Sequence, residues 1–257
     1  MLEIDCVTKR FGGLVALDEV SLNIAEREIV GIFGPNGSGK TTLMNVISGA
    51  FPATSGDVRW RGASLSGMRP DQIAARGIVK TFQNPQLFRE LTVADNVRIA
   101  GHLYLKSELG LGRALTLFPG QRRRATDAEL NRRVAQALEL SHLDAFASDP
   151  ASSLSYGGEK MLGVAMALMC KPDMLLLDEP GSGLSHDELS ALSVVLRRLR
   201  DQGMTLCVID HRVGFLGKLA DRAMVLFHGS KIAEGPPQEV LREKSVIEAY
   251  LGEQADA

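Results

Sequence analysis

A mainly parallel α/β fold with an inserted helical lobe follows from three features of the 257-residue sequence. The first is an apolar segment, a glycine-rich loop and a helix-like segment in direct succession at 28–48. The second is the alternation of strand-like and helix-like segments after residue 174. The third is a stretch between them, from about 84 to 160, in which no strand stands out.

Residues 2–7 and 20–25 gather apolar and β-branched side chains and read as strands. Lys9-Arg-Phe-Gly-Gly13 between them reads as a turn that exposes Phe11. Glu28-Ile-Val-Gly-Ile-Phe33 is a short β-prone run. Thr42-Leu-Met-Asn-Val-Ile-Ser48 reads as a helix with Leu43, Val46 and Ile47 on one face, stopping at Ser48-Gly49. Thr54-Ser-Gly-Asp57 reads as a turn, and Asp57-Val-Arg-Trp-Arg61 as a strand in which Trp60 packs into the core rather than serving as a ligand platform. Pro70 opens a short helix over 70–76. Ile78-Val-Lys-Thr-Phe82 is a further strand, followed directly by Gln83.

In the middle stretch, Thr92 is placed to cap a helix, with Asp95 as the returning carboxylate. Residues 105–124 read as irregular, ending in Arg122-Arg-Arg124. That run is a solvated face or, alternatively, a contact for anionic partners. Leu130, Val134, Ala137 and Leu138 recur at helical spacing within 126–140. Leu154-Ser-Tyr-Gly-Gly-Glu-Lys160 opens a helix running to about Lys171. Beyond it, Met174-Leu-Leu-Leu177 is a buried strand, followed by a helix at 186–202, a strand at 205–209, a helix at 212–220 and a strand at 223–227. Lys231-Ile-Ala-Glu-Gly235 closes a hairpin after His228-Gly229, and two short helices finish the chain over 237–257.

The glycine loop carries the most specific chemistry. Gly34-Pro-Asn-Gly-Ser-Gly-Lys-Thr41 fits G-x-x-x-x-G-K-[ST], with Gly34, Gly39, Lys40 and Thr41 in the fixed places. Glycines let backbone N–H groups curl onto an anion, and the following helix adds its positive end. Lys40 then supplies a point charge for β- and γ-phosphates, and the Thr41 hydroxyl a magnesium ligand. Asp178 and Glu179 follow the buried strand, at the end where parallel sheets bind ligands. Asp178 is suited to magnesium, through water, and Glu179 to polarising an attacking water; the alternative is surface acids before a Pro180 turn. A second anion site is expected where Ser155 caps a helix and the N–H groups after Gly157 begin it. One chain has no evident use for it, whereas two facing chains would.

Composition narrows the class. The chain is 45% hydrophobic and 23% charged, with a net charge of −2, so no basic balance points to nucleic acid. Cys6, Cys170 and Cys207 are scattered without metal spacing, as in a reduced cytosolic protein. No run approaches the roughly 18 apolar residues of a membrane span, and the N-terminus does not read as a signal peptide. Work at a membrane would therefore go through a partner.

These motifs, in this order, resemble those of an ATP-binding-cassette ATPase subunit from end to end. The loop at 34–41 corresponds to the first Walker motif and Met174 to Glu179 to the second. Leu154-Ser-Tyr-Gly-Gly158 resembles the signature Leu-Ser-Gly-Gly-Gln, Gln83 the Q-loop glutamine, His211 the switch histidine, and Phe11 the adenine-stacking aromatic. The resemblance implies a P-loop NTPase core with a mainly parallel sheet, an N-terminal antiparallel β subdomain and an inserted helical subdomain. It divides the chain into a core at 1–83 and 161–257 and a helical part at 84–160. It also implies ATP and Mg2+, held by Phe11, Gly34, Pro35, Asn36, Gly37, Ser38, Gly39, Lys40, Thr41 and Thr42. Ser155 and Gly157 would reach a partner's nucleotide; Thr41, Gln83 and Asp178 would serve the metal; Glu179, His211 and Gln83 would serve hydrolysis.

Lys80-Thr-Phe-Gln-Asn-Pro-Gln-Leu-Phe88 and Glu248-Ala-Tyr-Leu-Gly-Glu253 further resemble the larger ATPase of branched-chain amino-acid importers. The implied partners are a second ATPase subunit (a different chain, or a second copy), two transmembrane permeases, and a solute-binding protein acting through them. The implied location is the cytoplasmic face of the membrane. Leu87 and Phe88 are candidates for the permease groove or for core packing. Importers of urea, amides or aromatic acids are the alternative, and a soluble cassette ATPase acting on nucleic acid or ribosomes a more distant one. A P-loop kinase leaves the signature helix and His211 unexplained. Three positions depart from the family: Tyr156 for the first signature glycine, Gly158 for its glutamine, and Ser185 where most members have Asp.

Overall fold

The computed structural model describes residues 1–81, 85–108 and 121–255, of which 102–108, 121–126 and 251–255 are described as backbone only. The chain forms two compact units. One comprises Met1–Gln83, Asp173–Ser182 and Leu199–Ala257; the other comprises Asn84–Pro172 and Gly183–Arg198.

The first unit holds two sheets. β1 (Leu2–Phe11), β2 (Leu14–Ile24), β4 (Ser55–Trp60) and β5 (Ala63–Ser64) form an antiparallel sheet in the order β2-β1-β4-β5. β1 runs through Lys9 and Phe11, so the turn expected at 9–13 shrinks to Gly12-Gly13; pairing of Phe11 with Leu14 closes the hairpin tightly. β4 likewise begins inside the turn expected at 54–57, because Ser55 and Asp57 pair with Thr8 and Asp5. Trp60 is buried and its indole N–H donates to Arg76 O at 3.0 Å.

The second sheet has the order β10-β9-β3-β8-β7-β6. β3 (Ile29–Phe33), β6 (Ile78–Lys80), β7 (Met174–Asp178), β8 (Thr205–Ile209) and β9 (Arg222–Phe227) are parallel, and β10 (Ser230–Gly235) adds an antiparallel edge. β3, β7 and β8 are buried at every residue, which is why they read as continuous apolar runs rather than alternating ones. Helix α1 (Lys40–Ile47) contacts β2 and β7, and its Leu43, Met44 and Ile47 join residues of both sheets in one core. α2 (Pro70–Ala74) contacts β6 and α7 (Val213–Leu219) contacts β3. α8 (Pro237–Val240) and α9 (Lys244–Ala255) follow the hairpin. The three cysteines are free thiols; Cys6 is exposed, and burial pushes the Cys207 thiol up to about 12, with the Asp178 and Glu28 charges adding.

The second unit is helical. α3 (Val93–Glu108) and α4 (Gln121–Leu140) reach into the 105–124 stretch read as irregular, so 105–108 and 121–124 are helical instead. Arg122-Arg-Arg124 lies in the first turn of α4, and its side chains are outside the described residues. Thr92 caps α3: its Oγ1 accepts from Asp95 N at 3.0 Å and donates to the Asp95 carboxylate at 2.7 Å. Leu130, Val134, Ala137 and Leu138 are all buried. α5 (Tyr156–Leu168) contacts α3 and α4, and α6 (His186–Asp201) begins in this unit. The division read from the sequence at residue 160 falls inside α5. Among the described residues no helix is long and apolar enough to cross a membrane.

Candidate functional site

The chemistry-bearing residues of the first unit follow the carboxyl ends of adjacent strands in one parallel sheet. The loop Gly34–Thr41 follows β3, Glu179 follows β7, Asp210 and His211 follow β8, and His228 follows β9. Carbonyl ends of parallel strands splay around a crevice, so residues far apart in sequence meet there. Gln83 lies outside the described residues.

Gly34, Gly37 and Gly39 have φ of 142°, 75° and 104°, the left-handed region that favours glycine. Gly39 precedes the first turn of α1, which has no side-chain cap. The loop is buttressed from the β9–β10 turn: Gly229 N donates to Ser38 O at 3.0 Å. Lys40 is buried, and its Nζ donates to Gly34 O at 2.7 Å and Pro35 O at 2.6 Å. Phe11, the residues from Asn36 to Thr42, and Glu179 line one cleft of about 440 Å³. Gly34 and Pro35 are not among its lining residues. Phe11 is 41% exposed; it meets Phe51 edge-on at 5.4 Å between ring centres, with Lys9 Nζ 4.8 Å over its ring. Leu14, Val15, Ala16 and His228 complete the wall. Nothing local in the sequence marks those four, because the β1–β2 hairpin and the β9–β10 turn bring them in.

Asp178 is buried at the end of β7 and ion-paired with Lys80 Nζ at 3.1 Å; Lys80 also donates to Asn45 Oδ1 at 2.7 Å. Thr41 is exposed on the first turn of α1. A hydroxyl and a carboxylate are hard oxygen donors of the kind magnesium takes alongside phosphate oxygens and water, so the residues present fit that ion. Glu179 holds a left-handed backbone, φ 50°, at the strand end, with its N–H donating to Ile209 O at 2.8 Å. His211 Nδ1 is 3.9 Å from Glu179 Oε2.

Asp210 escapes a motif-based reading. It is 1% exposed, and its carboxylate accepts from Gly181 N and Arg212 N, both at 2.9 Å. It therefore fixes the backbone beside both Glu179 and His211. The signal was an acid ending a buried apolar strand, the same pattern that marks Asp178.

In the second unit Ser155 caps α5, its Oγ accepting from Gly158 N at 3.1 Å. Ser155 Oγ also lies 3.1 Å from Glu188 Oε1, which accepts from Gly157 N at 3.2 Å. Glu188 Oε2 accepts from Ser185 N and Ser185 Oγ, both at 2.9 Å. The Ser185 N–H, with the Ser185 hydroxyl and these other donors, holds the Glu188 carboxyl below the usual range. A Cβ on Gly157 would fall 2.5 Å from Glu188 Oε1, so that position has no room for a larger residue unless Glu188 moves. Ser185, one of the three departures, thus caps α6 and steadies this carboxylate.

A phosphate-type loop at the centre of a parallel sheet, faced by acids from neighbouring strands, defines a nucleotide-hydrolysing α/β protein. The chain belongs to the ABC transporter family, whose model matches residues 17–182. A model described as branched-chain amino acid ATP-binding cassette transporter matches residues 230–256. The chain is 39% identical to the high-affinity branched-chain amino acid transport ATP-binding protein LivG of Salmonella typhimurium over 254 residues, 98% of each. It is 35% identical to BraF of Pseudomonas aeruginosa, with the same description and coverage. An ATP-binding cassette of an ABC transporter, crystallised in its ADP conformation, matches 98% of both chains with a TM-score of 0.84 at 30% identity. The protein is an ATP-binding, ATP-hydrolysing subunit of a transport system.

Proposed function

We propose that this chain is the ATPase motor of an importer for branched-chain or related amino acids, working at the cytoplasmic face of the membrane. The convergence of Phe11, Asn36 to Thr42 and Glu179 on one cleft carries the ATPase part of the reading. The relatives' names and the match at 230–256 support the solute class.

Phe11 stacks on the adenine. Backbone N–H groups of the loop and the first turn of α1 hold the phosphates, and Lys40 Nζ exchanges its carbonyl partners for phosphate oxygens. Thr41 and Asp178, with Gln83, would hold magnesium, which would supply charge neutralisation to the phosphates. Glu179 orients the attacking water and accepts its proton, and His211 stands beside it, both kept in place by Asp210.

Ser155 and Gly157 serve the nucleotide held by a second ATPase subunit, so that ATP joins two subunits and hydrolysis releases them. Two permease subunits dock on the helical unit. Phe88 is 54% exposed there, which removes it from the core, and its backbone is pinned on both sides by buried Asn96: Phe88 N donates to Asn96 Oδ1 at 2.8 Å and Asn96 Nδ2 to Phe88 O at 3.0 Å. Leu87 is half-buried beside it.

Glu179→Gln tests the catalytic reading. ATP binding should persist while hydrolysis falls by about 10²-fold or more, because an amide is a poor proton acceptor. Near-normal turnover of that variant removes Glu179 from the role. Reconstituting the chain with its permeases in vesicles, then measuring leucine uptake against urea or amide uptake, tests the solute class.

A further inference from the structure

We infer that Tyr250, on the C-terminal helix, is a positioning residue for the phosphate loop. Gly34 is the first residue of that loop and the point where β3 ends. Its surroundings are tight: a Cβ there would fall 2.1 Å from Leu226 O and 2.7 Å from Ser38 Oγ. Its backbone is held on both sides by side chains. Gly34 O accepts from Lys40 Nζ at 2.7 Å, and Gly34 N donates to Tyr250 Oη at 2.8 Å, across 216 residues of sequence.

Tyr250 is not delivered by a loose tail. In α9, Val246 and Ala249 are 1% and 4% exposed, and α9 contacts β10. Residues four apart share a helix face, so burial of Val246 orients Tyr250 toward the same packed side. A phenolic hydroxyl both accepts and donates, and here it accepts a bond that no residue near Gly34 in sequence supplies.

The consequence rests on the reading that Gly34–Thr41 binds ATP. In that reading Lys40 Nζ leaves Gly34 O for a phosphate, and the Tyr250 bond then holds the first peptide of the loop. The hydroxyl sets the loop's conformation before the nucleotide arrives and steadies it afterwards. It touches no reacting atom. The segment matched at 230–256 thereby acts on the nucleotide site and reports its occupancy. Coupling between two sites is reciprocal, so ATP must also tighten α9.

The test compares full-length wild type, Tyr250→Phe and Lys40→Ala. Loss of one neutral hydrogen bond corresponds to roughly three- to tenfold in affinity. Tyr250→Phe should weaken ATP binding by about that factor and raise KM while leaving kcat at saturating ATP unchanged. Its unfolding temperature without nucleotide should fall by no more than the loss of one neutral hydrogen bond causes, so the readout that separates positioning from a merely structural role is the raised KM at unchanged kcat. Amide hydrogen exchange supplies a second measurement that needs no variant: ATP added to wild type should slow exchange in α9. Wild-type affinity and KM in Tyr250→Phe, or exchange in α9 indifferent to ATP, overturns the inference. If wild type and Lys40→Ala bind ATP equally, the ATP reading of the loop fails instead.

Discussion

Helices α1 and α5 both begin at residues proposed to meet a phosphate, yet they begin differently. α1 starts after Gly39, at a left-handed φ of 104° and without a side-chain cap, and Lys40 brings a cation to the same turn. α5 starts after Ser155, whose hydroxyl caps Gly158 N while the Glu188 carboxylate sits on Ser155 Oγ and Gly157 N. Every helix leaves N–H groups over at its start, and something must take them. At α1 no side chain caps them, and Lys40 brings a cation to the same turn. At α5 the protein provides its own anion. A phosphate arriving at Ser155 and Gly157 would meet a carboxylate already bonded to them, whereas at α1 it would meet only the carbonyl partners of Lys40, so filling and exchange describe the helix N–H groups of the two sites and not Lys40. That suits a pair of sites in which the first holds a nucleotide within one chain and the second engages it only when two chains meet.

The comparison breaks most visibly at Lys40. Lys40→Ala should weaken ATP binding by the isolated chain by about ten- to a hundredfold, the scale of lost hydrogen bonds to a charged group. Equilibrium titration with a fluorescent ATP analogue reads this, and unchanged affinity would remove the cation from the filling site. Next in size is Ser155→Ala. It should leave ATP binding by the isolated chain as in wild type, yet lower ATPase activity of the assembled transporter by about tenfold. Weakened binding in the isolated chain would mean that the two N-termini serve one nucleotide within one chain. The smallest effect sharpens the exchange idea. In a Glu179→Gln background, Glu188→Ala should lower the ATP concentration needed for pairing of the subunits by about two- to fivefold, the scale of one solvent-screened charge contact. Sedimentation at rising ATP reads it.

Glu188 also carries a sign that pH reveals. Its folded pKa lies below the ordinary value, so its contribution to stability is complete above that ordinary value and disappears as pH falls through the lowered one. Thermal melts of wild type and Glu188→Ala should therefore differ near neutrality and converge in acid.

Much of the site was legible because its chemistry is local. A glycine loop between a strand and a helix has one main physical use, and 34–41 carries it in eight consecutive residues. Asp178 and Glu179 were legible because acids that end a buried strand need a reason to be there. Helix α4 was partly legible: the spacing of Leu130, Val134, Ala137 and Leu138 revealed its packed half, whereas Gln121 to Arg124 carry no apolar period and read as irregular. The strand ends at Lys9 to Phe11 and at Ser55 were missed because pairing with a distant strand, not local preference, extends them.

What the sequence determined by itself was the family and its ATP-hydrolysing chemistry, together with local devices: a glycine loop, acids ending a buried strand and a capped helix. Tertiary structure decided which residues share the work. Lys80 meets Asp178, Asp210 ties down the backbone beside Glu179 and His211, Glu188 occupies the signature donors, and Tyr250 reaches Gly34. These are single hydrogen bonds, ion pairs or small sets of them that no periodicity or motif foretells. Only the folded chain, which brings the ends of five strands to one side of a sheet, sets their distances.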